Sequence, residues 1–269
     1  MNHQVRIIEN FAPLLQKKNK LITIETECIF GEKFTILEKN KKWCFGFLND
    51  DKYHGWLKLD SLGDMEKPNF FVSVPKTIIL TKPEVKSIAI DYLSIGSYVY
   101  VRKFIDVWAE ISFFNKKKLI NGYVHKFHLQ KINSKSQDWI KVAESMIGVP
   151  YKWGGKTSLG IDCSGLLQIA LKLVGIKAPR NSIDQKQSLG YNIFTQNELK
   201  LDNFLELWDS RIKRGDLIFW EGHVAIINCK TTIIHANAET NNVAVHNSKE
   251  LIKKYFSRGL DLLAIKRLN

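Results

Sequence analysis

The chain reads as an α+β protein on two observations: a first half of short β-type runs, and a second half that opens on helical periodicity before returning to strands. A third observation, a recurring order of landmarks within the first half, divides the strand-rich part in two.

Up to about residue 133, β-branched and aromatic runs alternate with polar turns at the spacing of small barrels. Phe34-Thr35-Ile36-Leu37, Trp43-Cys44-Phe45-Gly46-Phe47 and Gly55-Trp56-Leu57 form one set. Thr77-Ile78-Ile79-Leu80, Tyr98-Val99-Tyr100-Val101, Val107-Trp108-Ala109-Glu110-Ile111 and Gly122-Tyr123-Val124 form a second. Each set holds an apolar strand, a strand led by tryptophan (Trp43, Trp108), a polar hairpin, a strand led by glycine (Gly55, Gly122) and a closing leucine (Leu62, Leu129). Lys67-Pro68 is the expected seam, which gives barrels over 1–66 and 67–133 and a further domain over 134–269.

That domain begins with Trp139, Val142, Ala143 and Met146 on one helical face, with Ser136 as the expected N-cap and Gly148-Val149-Pro150 as the stop. A second helix is predicted from Cys163, its apolar face made by Leu166, Leu167, Ala170, Leu171 and Val174, and Gly175 ends it. Strands are predicted over 216–220, 223–228, 231–237, 243–245 and 260–266, with a short helix over 249–255.

Composition narrows the classes. With 269 residues there is room for two or three compact units, and 45% hydrophobic with 25% charged residues is ordinary for globular protein. The net charge of +13 invites an anionic partner. Its lysines, however, lie in short runs such as Lys17-Lys18 and Lys116-Lys117-Lys118, with none of the aromatic interleaving of a nucleic-acid module. The expectation is a solvated basic surface and no nucleic-acid partner. No stretch approaches the ~18 apolar residues of a membrane span, and the first residues lack the apolar core of an export signal. Both point to a cytoplasmic protein without a membrane partner. Cys28, Cys44, Cys163 and Cys229 show no metal-type spacing, so no metal is expected, and all but Cys163 read as core packing.

Cys163 stands at a predicted helix start, where free N–H groups and the macrodipole favour thiolate, so a lowered pKa is expected, together with N–H groups for an oxyanion. An isolated Asp-Cys-Ser-Gly also suits a buried packing cysteine. The histidines shift the balance toward the nucleophile. In a hairpin centred on Cys229, Ile227 faces Thr231, Ala225 faces Ile233 and His223 faces His235. Opposed Cβ atoms are ~4.5–5.5 Å apart, close enough for one imidazole to orient the other. His3, His54, His125, His128 and His246 have no comparable partner and read as surface or turn residues.

An ordered set of motifs now stands out: Gly148-Val149-Pro150-Tyr151-Lys152-Trp153-Gly154-Gly155, Asp162-Cys163-Ser164-Gly165, Pro179-Arg180-Asn181-Ser182, Arg214-Gly215-Asp216-Leu217-Ile218-Phe219, His223-Val224-Ala225-Ile226 and Ile234-His235-Ala236. In these the chain resembles the NlpC-type cysteine peptidases, papain-like in fold. The resemblance implies Cys163 as nucleophile, His223 as general base and later acid, and His235 as the residue that orients His223.

Through Phe30-Gly31-Glu32, Trp43, Asp51-Lys52-Tyr53-His54-Gly55-Trp56 and Tyr123-Val124, the first half resembles two bacterial SH3-like barrels. The two halves together resemble the dipeptidyl-peptidase VI type, γ-D-glutamyl-L-diamino acid endopeptidases that trim murein peptides inside the cell. In that group the barrels wall off one end of the cleft and select a free N-terminal L-alanine. The resemblance implies a murein peptide as partner, no cofactor, and Tyr151, Asp162, Ser182 and Tyr53 as substrate contacts; Asp162 doubles as an N-cap. The family's barrel glutamate aligns near Thr23, with Glu25 and Glu27 close by but out of register. Asp216 is assigned to turn structure. An exported peptidoglycan hydrolase and a non-catalytic murein-peptide-binding module are the competing readings, and the sequence carries no signal of oligomeric state.

Overall fold

A computed structural model of the chain describes residues 3–17, 24–115, 118–134, 138–200 and 204–268. The chain divides into two compact units, Met1–Ser136 with Trp153–Ser158, and Gln137–Lys152 with Leu159–Asn269.

The first unit holds two sheets of seven strands. One comprises β1 (His3–Ile7), β2 (Phe11–Leu15), β3 (Ile24–Ile29), β4 (Lys33–Lys39), β5 (Trp43–Leu48), β6 (His54–Lys58) and β7 (Leu62–Gly63). The other comprises β8 (Phe70–Val72), β9 (Lys76–Leu80), β10 (Ala89–Ser94), β11 (Tyr98–Ile105), β12 (Trp108–Asn115), β13 (Lys118–His125) and β14 (Leu129–Lys131). The strand orders are β3-β2-β6-β5-β4-β1-β7 and β10-β9-β13-β12-β11-β8-β14, the same order displaced by seven strands. The repeat read from the sequence is therefore a repeat of topology, with Trp43 and Trp108 opening equivalent strands.

The repeated glycines have an atomic reason. A Cβ on Gly55 would lie 2.6 Å from Leu14 Cγ, and one on Gly122 would lie 2.4 Å from Ile79 Cγ2. Leu14 and Ile79 are the fourth residues of β2 and β9. In each sheet, then, an apolar side chain lies across the glycine-bearing strand where any side chain would collide with it. One core gathers Val5, Ile7, Leu14, Cys28, Phe34, Cys44 and Leu57. The second gathers Val72, Ile79, Leu93, Val99, Ile111, Phe113 and Val124, and it also takes in Phe30. Phe30 joins the two sheets, since its carbonyl accepts from Tyr98 N at 2.8 Å.

The strand β15 (Lys156–Thr157) also belongs to this unit. Glu27 Oε2 accepts from Lys156 N at 3.0 Å, and Lys156 Nζ meets Glu32 Oε1 at 3.1 Å.

The second unit contains α1 (Trp139–Ser145), β16 (Gly160–Ile161), α2 (Cys163–Leu173), α3 (Ser182–Ser188), β17 (Tyr191–Asn192), α4 (Phe204–Arg211), β18 (Leu217–Trp220), β19 (His223–Cys229), β20 (Thr232–Asn237), β21 (Asn242–Asn247), α5 (Ser248–Phe256) and β22 (Ala264–Arg267). Its six-stranded sheet runs β17-β22-β18-β19-β20-β21, antiparallel throughout. This helix-first meander is the α+β arrangement expected. Asp138 caps α1 by accepting from Ile140 N at 3.0 Å, whereas the expected cap Ser136 lies outside the described residues. The predicted strand over 260–266 contracts to Ala264–Arg267. The helix α4, which was not predicted, buries Phe204 and Trp208 one turn apart. Helix α2 packs on α1, β19 and β20, and from Cys163 to Leu171 every side chain is buried.

Candidate active site

Asp162 sets the start of α2. Its extended backbone (φ −98°, ψ 176°) stops the helix there, and its Oδ1 accepts from Gly165 N at 2.7 Å and from Ser164 Oγ at 3.2 Å. The same carboxylate takes a bidentate pair of bonds from buried Arg180: Nη1 to Oδ1 at 3.0 Å and Nη2 to Oδ2 at 2.6 Å. Arg180 Nη1 also donates to Ser164 Oγ at 2.7 Å. The aspartate is thus cap and counter-ion together, and Arg180 is a site residue whose role the sequence did not disclose, although its Pro-Arg-Asn-Ser motif was visible.

Cys163 is buried, and its Sγ donates to Gly222 O at 3.9 Å. The N–H of Val224 also reaches the thiol. The sulfur therefore lies against backbone on both sides of His223. The expected lowering of its pKa is overturned: burial pushes the thiol up to about 11, and the charge of Asp162 adds to that. The helix-start N–H of Gly165, one of those expected to favour thiolate or hold an oxyanion, is already bonded to Asp162. Loss of water then outweighs the dipole.

His223 Nε2 lies 2.7 Å from His235 Nδ1, and the ring also packs beside Trp220 and Tyr255, with centroids 5.7 and 6.2 Å away. Burial pushes His223 down to about 4, opposed by the charge of Asp162. His235 is fully enclosed, and burial, followed by its two histidine neighbours, takes it down to about 2. Both imidazoles are neutral at neutral pH.

The histidines meet in a different register from the one expected. Ile226 pairs with Ile234 and Ile227 with Ile233, and an irregularity before the Cys229–Thr232 pair shifts the ladder. Continued outward, that register sets His235 opposite Ala225 and leaves the two histidines diagonal. They share a face because the displacement is two residues.

Two further assignments are corrected. His246, taken as a surface or turn residue, presents Nδ1 to His235 Nε2 at 2.9 Å, so three histidines form a row across β19, β20 and β21. Cys229, taken as core packing, is exposed at the end of β19, while Cys28 and Cys44 are buried as expected.

Tyr151 is half-buried and close enough to Cys163 and Asp162 to feel both charges; burial first, then those charges, push its phenol up to about 12. Ser182 opens α3, which Gln185 ties to the start of α2 through Nε2 to Ser164 O at 2.9 Å. Tyr53 belongs to the first unit, where its hydroxyl donates to Glu25 Oε2 at 2.8 Å. Thr23 lies outside the described residues. Asp216 accepts from Lys213 N at 2.7 Å and pairs with Arg267, a structural role as expected.

A buried thiol at a helix start, set against the backbone on both sides of a histidine that is bonded to a second histidine, on an α+β scaffold, suits a thiol hydrolase. Comparison with known proteins agrees: the chain carries a domain of the NlpC/P60 family over residues 148–260, preceded by a bacterial dipeptidyl-peptidase Sh3 domain over residues 22–62. It is 38% identical over 111 residues to Dipeptidyl-peptidase 6 of Lysinibacillus sphaericus, a match that covers 41% of this chain and 36% of that protein. It is 26% identical over 221 residues to Gamma-D-glutamyl-L-lysine dipeptidyl-peptidase of Bacillus subtilis, covering 76% of this chain and 67% of the relative. The matched part thus spans about a third of the first relative and two thirds of the second. The crystal structure of an NlpC/P60 family protein from Bacillus cereus superposes with a TM-score of 0.79 over 99% of both chains at 18% identity, a likeness of fold.

Proposed function

We propose that the protein is a cysteine peptidase that hydrolyses the bond between γ-D-glutamate and a diamino acid in murein-derived peptides with a free N-terminal L-alanine, acting on free peptides in the cytoplasm. The observation that carries the chemistry is the Cys163 sulfur set against the backbone around His223, whose Nε2 is held by His235. The substrate class draws support from the Sh3 match and from the names of the two relatives.

With the thiol pushed up and His223 pushed down, the resting pair is uncharged, so deprotonation accompanies attack. Sγ adds to the γ-carbonyl carbon as the thiol proton passes to Nδ1 of His223, the nitrogen His235 leaves free. Collapse expels the diamino acid, and His223 returns that proton to its amine, leaving a thioester. Water then adds to the thioester and gives a proton to His223. The glutamyl carboxyl departs, and Cys163 regains its proton. Tyr151, Asp162, Ser182 and, in the first unit, Tyr53 are the proposed substrate contacts, on the resemblance.

Mass spectrometry of products from L-Ala-γ-D-Glu-diaminopimelate, with free and with acetylated amine, tests the reading. We expect cleavage of the free-amine peptide alone, and none by Cys163→Ala. Action on insoluble sacculi and not on free peptide would favour a wall hydrolase, and binding without turnover would favour a peptide-binding module.

A further inference from the structure

The mechanism uses two histidines, yet the sheet aligns three. We propose that His246 is a positioning residue: as an acceptor it fixes the proton of His235 on Nε2, and through His235 it leaves Nδ1 of His223 free to receive the proton of Cys163. This rests on the reading of Cys163 and His223 as nucleophile and base.

His235 is fully enclosed and neutral, so one of its ring nitrogens donates and the other accepts. Nδ1 faces His223 Nε2 at 2.7 Å, and Nε2 faces His246 Nδ1 at 2.9 Å. If His235 carries its proton on Nε2, it donates to His246, its Nδ1 accepts from His223 Nε2–H, and His223 Nδ1 bears a lone pair. That nitrogen is the one nearer the backbone, and the Cys163 sulfur lies against the backbone of Gly222 and Val224. If the proton sits on Nδ1 instead, His235 donates to His223 Nε2, and the His223 proton moves to Nδ1. A base so protonated cannot accept from the thiol. The productive chain therefore requires an acceptor opposite His235 Nε2, and His246 Nδ1 stands there, an acceptor when His246 carries its own proton on Nε2.

A second polar neighbour of that nitrogen pulls the opposite way and lies farther off. Asn237 Nδ2 carries two hydrogens: one goes to Thr240 Oγ1 at 2.9 Å, and the other is divided between His235 Nε2 at 3.4 Å and Asn242 O at 3.5 Å. Its Oδ1 is held by the N–H groups of Glu239 and Thr240 at 3.1 and 2.8 Å. Asn237 is thus held mainly by the β20–β21 turn, and His246 at 2.9 Å is the nearer partner of His235 Nε2, against 3.4 Å for Asn237. Without His246, water can either donate to or accept from Nε2, so both tautomers become populated.

The test compares His246→Leu with His246→Asn in the full chain, because an asparagine side chain offers an oxygen near the place of Nδ1. The direct readout is the protonation of each ring nitrogen of His235, from nitrogen-15 imidazole NMR at neutral pH. We expect Nε2–H alone in the parent protein, a mixture in the leucine variant, and recovery of Nε2–H in the asparagine variant. Turnover of the murein peptide should follow, with kcat down ~10–100-fold for leucine at little change in KM, taking as a guide the loss when the outer partner of a metal-bound histidine is removed, and most of it regained by asparagine. Nδ1–H on His235 in the parent protein overturns the proposal, as does an unchanged tautomer in a folded leucine variant. Should the leucine variant fail to fold, the parent and asparagine spectra still decide. If no murein peptide is cleaved, the proposed substrate fails while the tautomer measurement stands on its own.

Discussion

At the scale of single residues, the two thiols outside the barrels have exchanged the characters their sequence context suggested. Cys163 is enclosed and pushed up to about 11, chiefly by burial. Cys229 is exposed, and the side chains of Thr231 and Thr232, 3.2 and 3.0 Å from its sulfur, bring it down to about 7. Thiolate is the form that reacts with alkylating agents. At neutral pH a substantial share of Cys229 is thiolate, whereas Cys163 is held as the thiol. Iodoacetamide should therefore label Cys229 first in the substrate-free protein, with labelling of Cys163 climbing through pH 9 to 11. Peptide mapping by mass spectrometry reads this directly; faster labelling of Cys163 at neutral pH would mean that a thiolate–imidazolium pair already exists at rest. The sequence marked Cys163 as special but misjudged its charge state, because the helix dipole is local and legible whereas desolvation depends on everything packed around the sulfur.

At the scale of elements, the start of α2 is held by a charge pair enclosed in protein. Asp162 and Arg180 are both buried, and their bidentate geometry satisfies the buried carboxylate as well as the helix end. Removing one partner of such a pair costs far more than the pair itself contributes, because the remaining charge stays desolvated. Arg180→Met should destabilise the second unit by ~3–5 kcal/mol, seen as a lower urea midpoint, while Arg180→Met combined with Asp162→Asn should recover much of that loss. The histidine row shows where legibility stops. Alternation placed His223 and His235 on one face, and the actual ladder, displaced by two residues, kept them there, since faces repeat every second residue. The place of His246 is not legible in the sequence, because its face depends on the β20–β21 register, which pairs Ile233 with His246 and is set by the Asn237–Thr240 turn. Neither the turn geometry nor the bulge before Cys229 has a signature in apolar spacing.

At the scale of the whole chain, the repeated strand order of the first unit was legible because it is written in apolar spacing and in glycines that must clear Leu14 and Ile79. The assignment of Trp153–Ser158 to that unit was not, because it rests on charged groups 124 residues apart in sequence. Lys156 and Glu32 are each about 2% exposed, and Lys156 Nζ lies 3.1 and 3.3 Å from the two oxygens of Glu32. Glu32 Oε2 also accepts from Ile29 N at 2.9 Å, so the carboxylate shapes the β3–β4 turn as well as binding the lysine. Lys156→Met keeps the aliphatic bulk but takes away the ammonium facing a carboxylate that cannot turn to water. The cost expected for breaking a buried pair is ~3–5 kcal/mol, and it should fall on the first unit although residue 156 follows α1 in the chain. Hydrogen exchange under native conditions locates it: faster exchange in β3 and β4 for Lys156→Met, with α2 and β19 close to their parent rates, and partial restoration in Lys156→Met with Glu32→Gln. Exchange raised equally in both units would show instead that they unfold as one cooperative body.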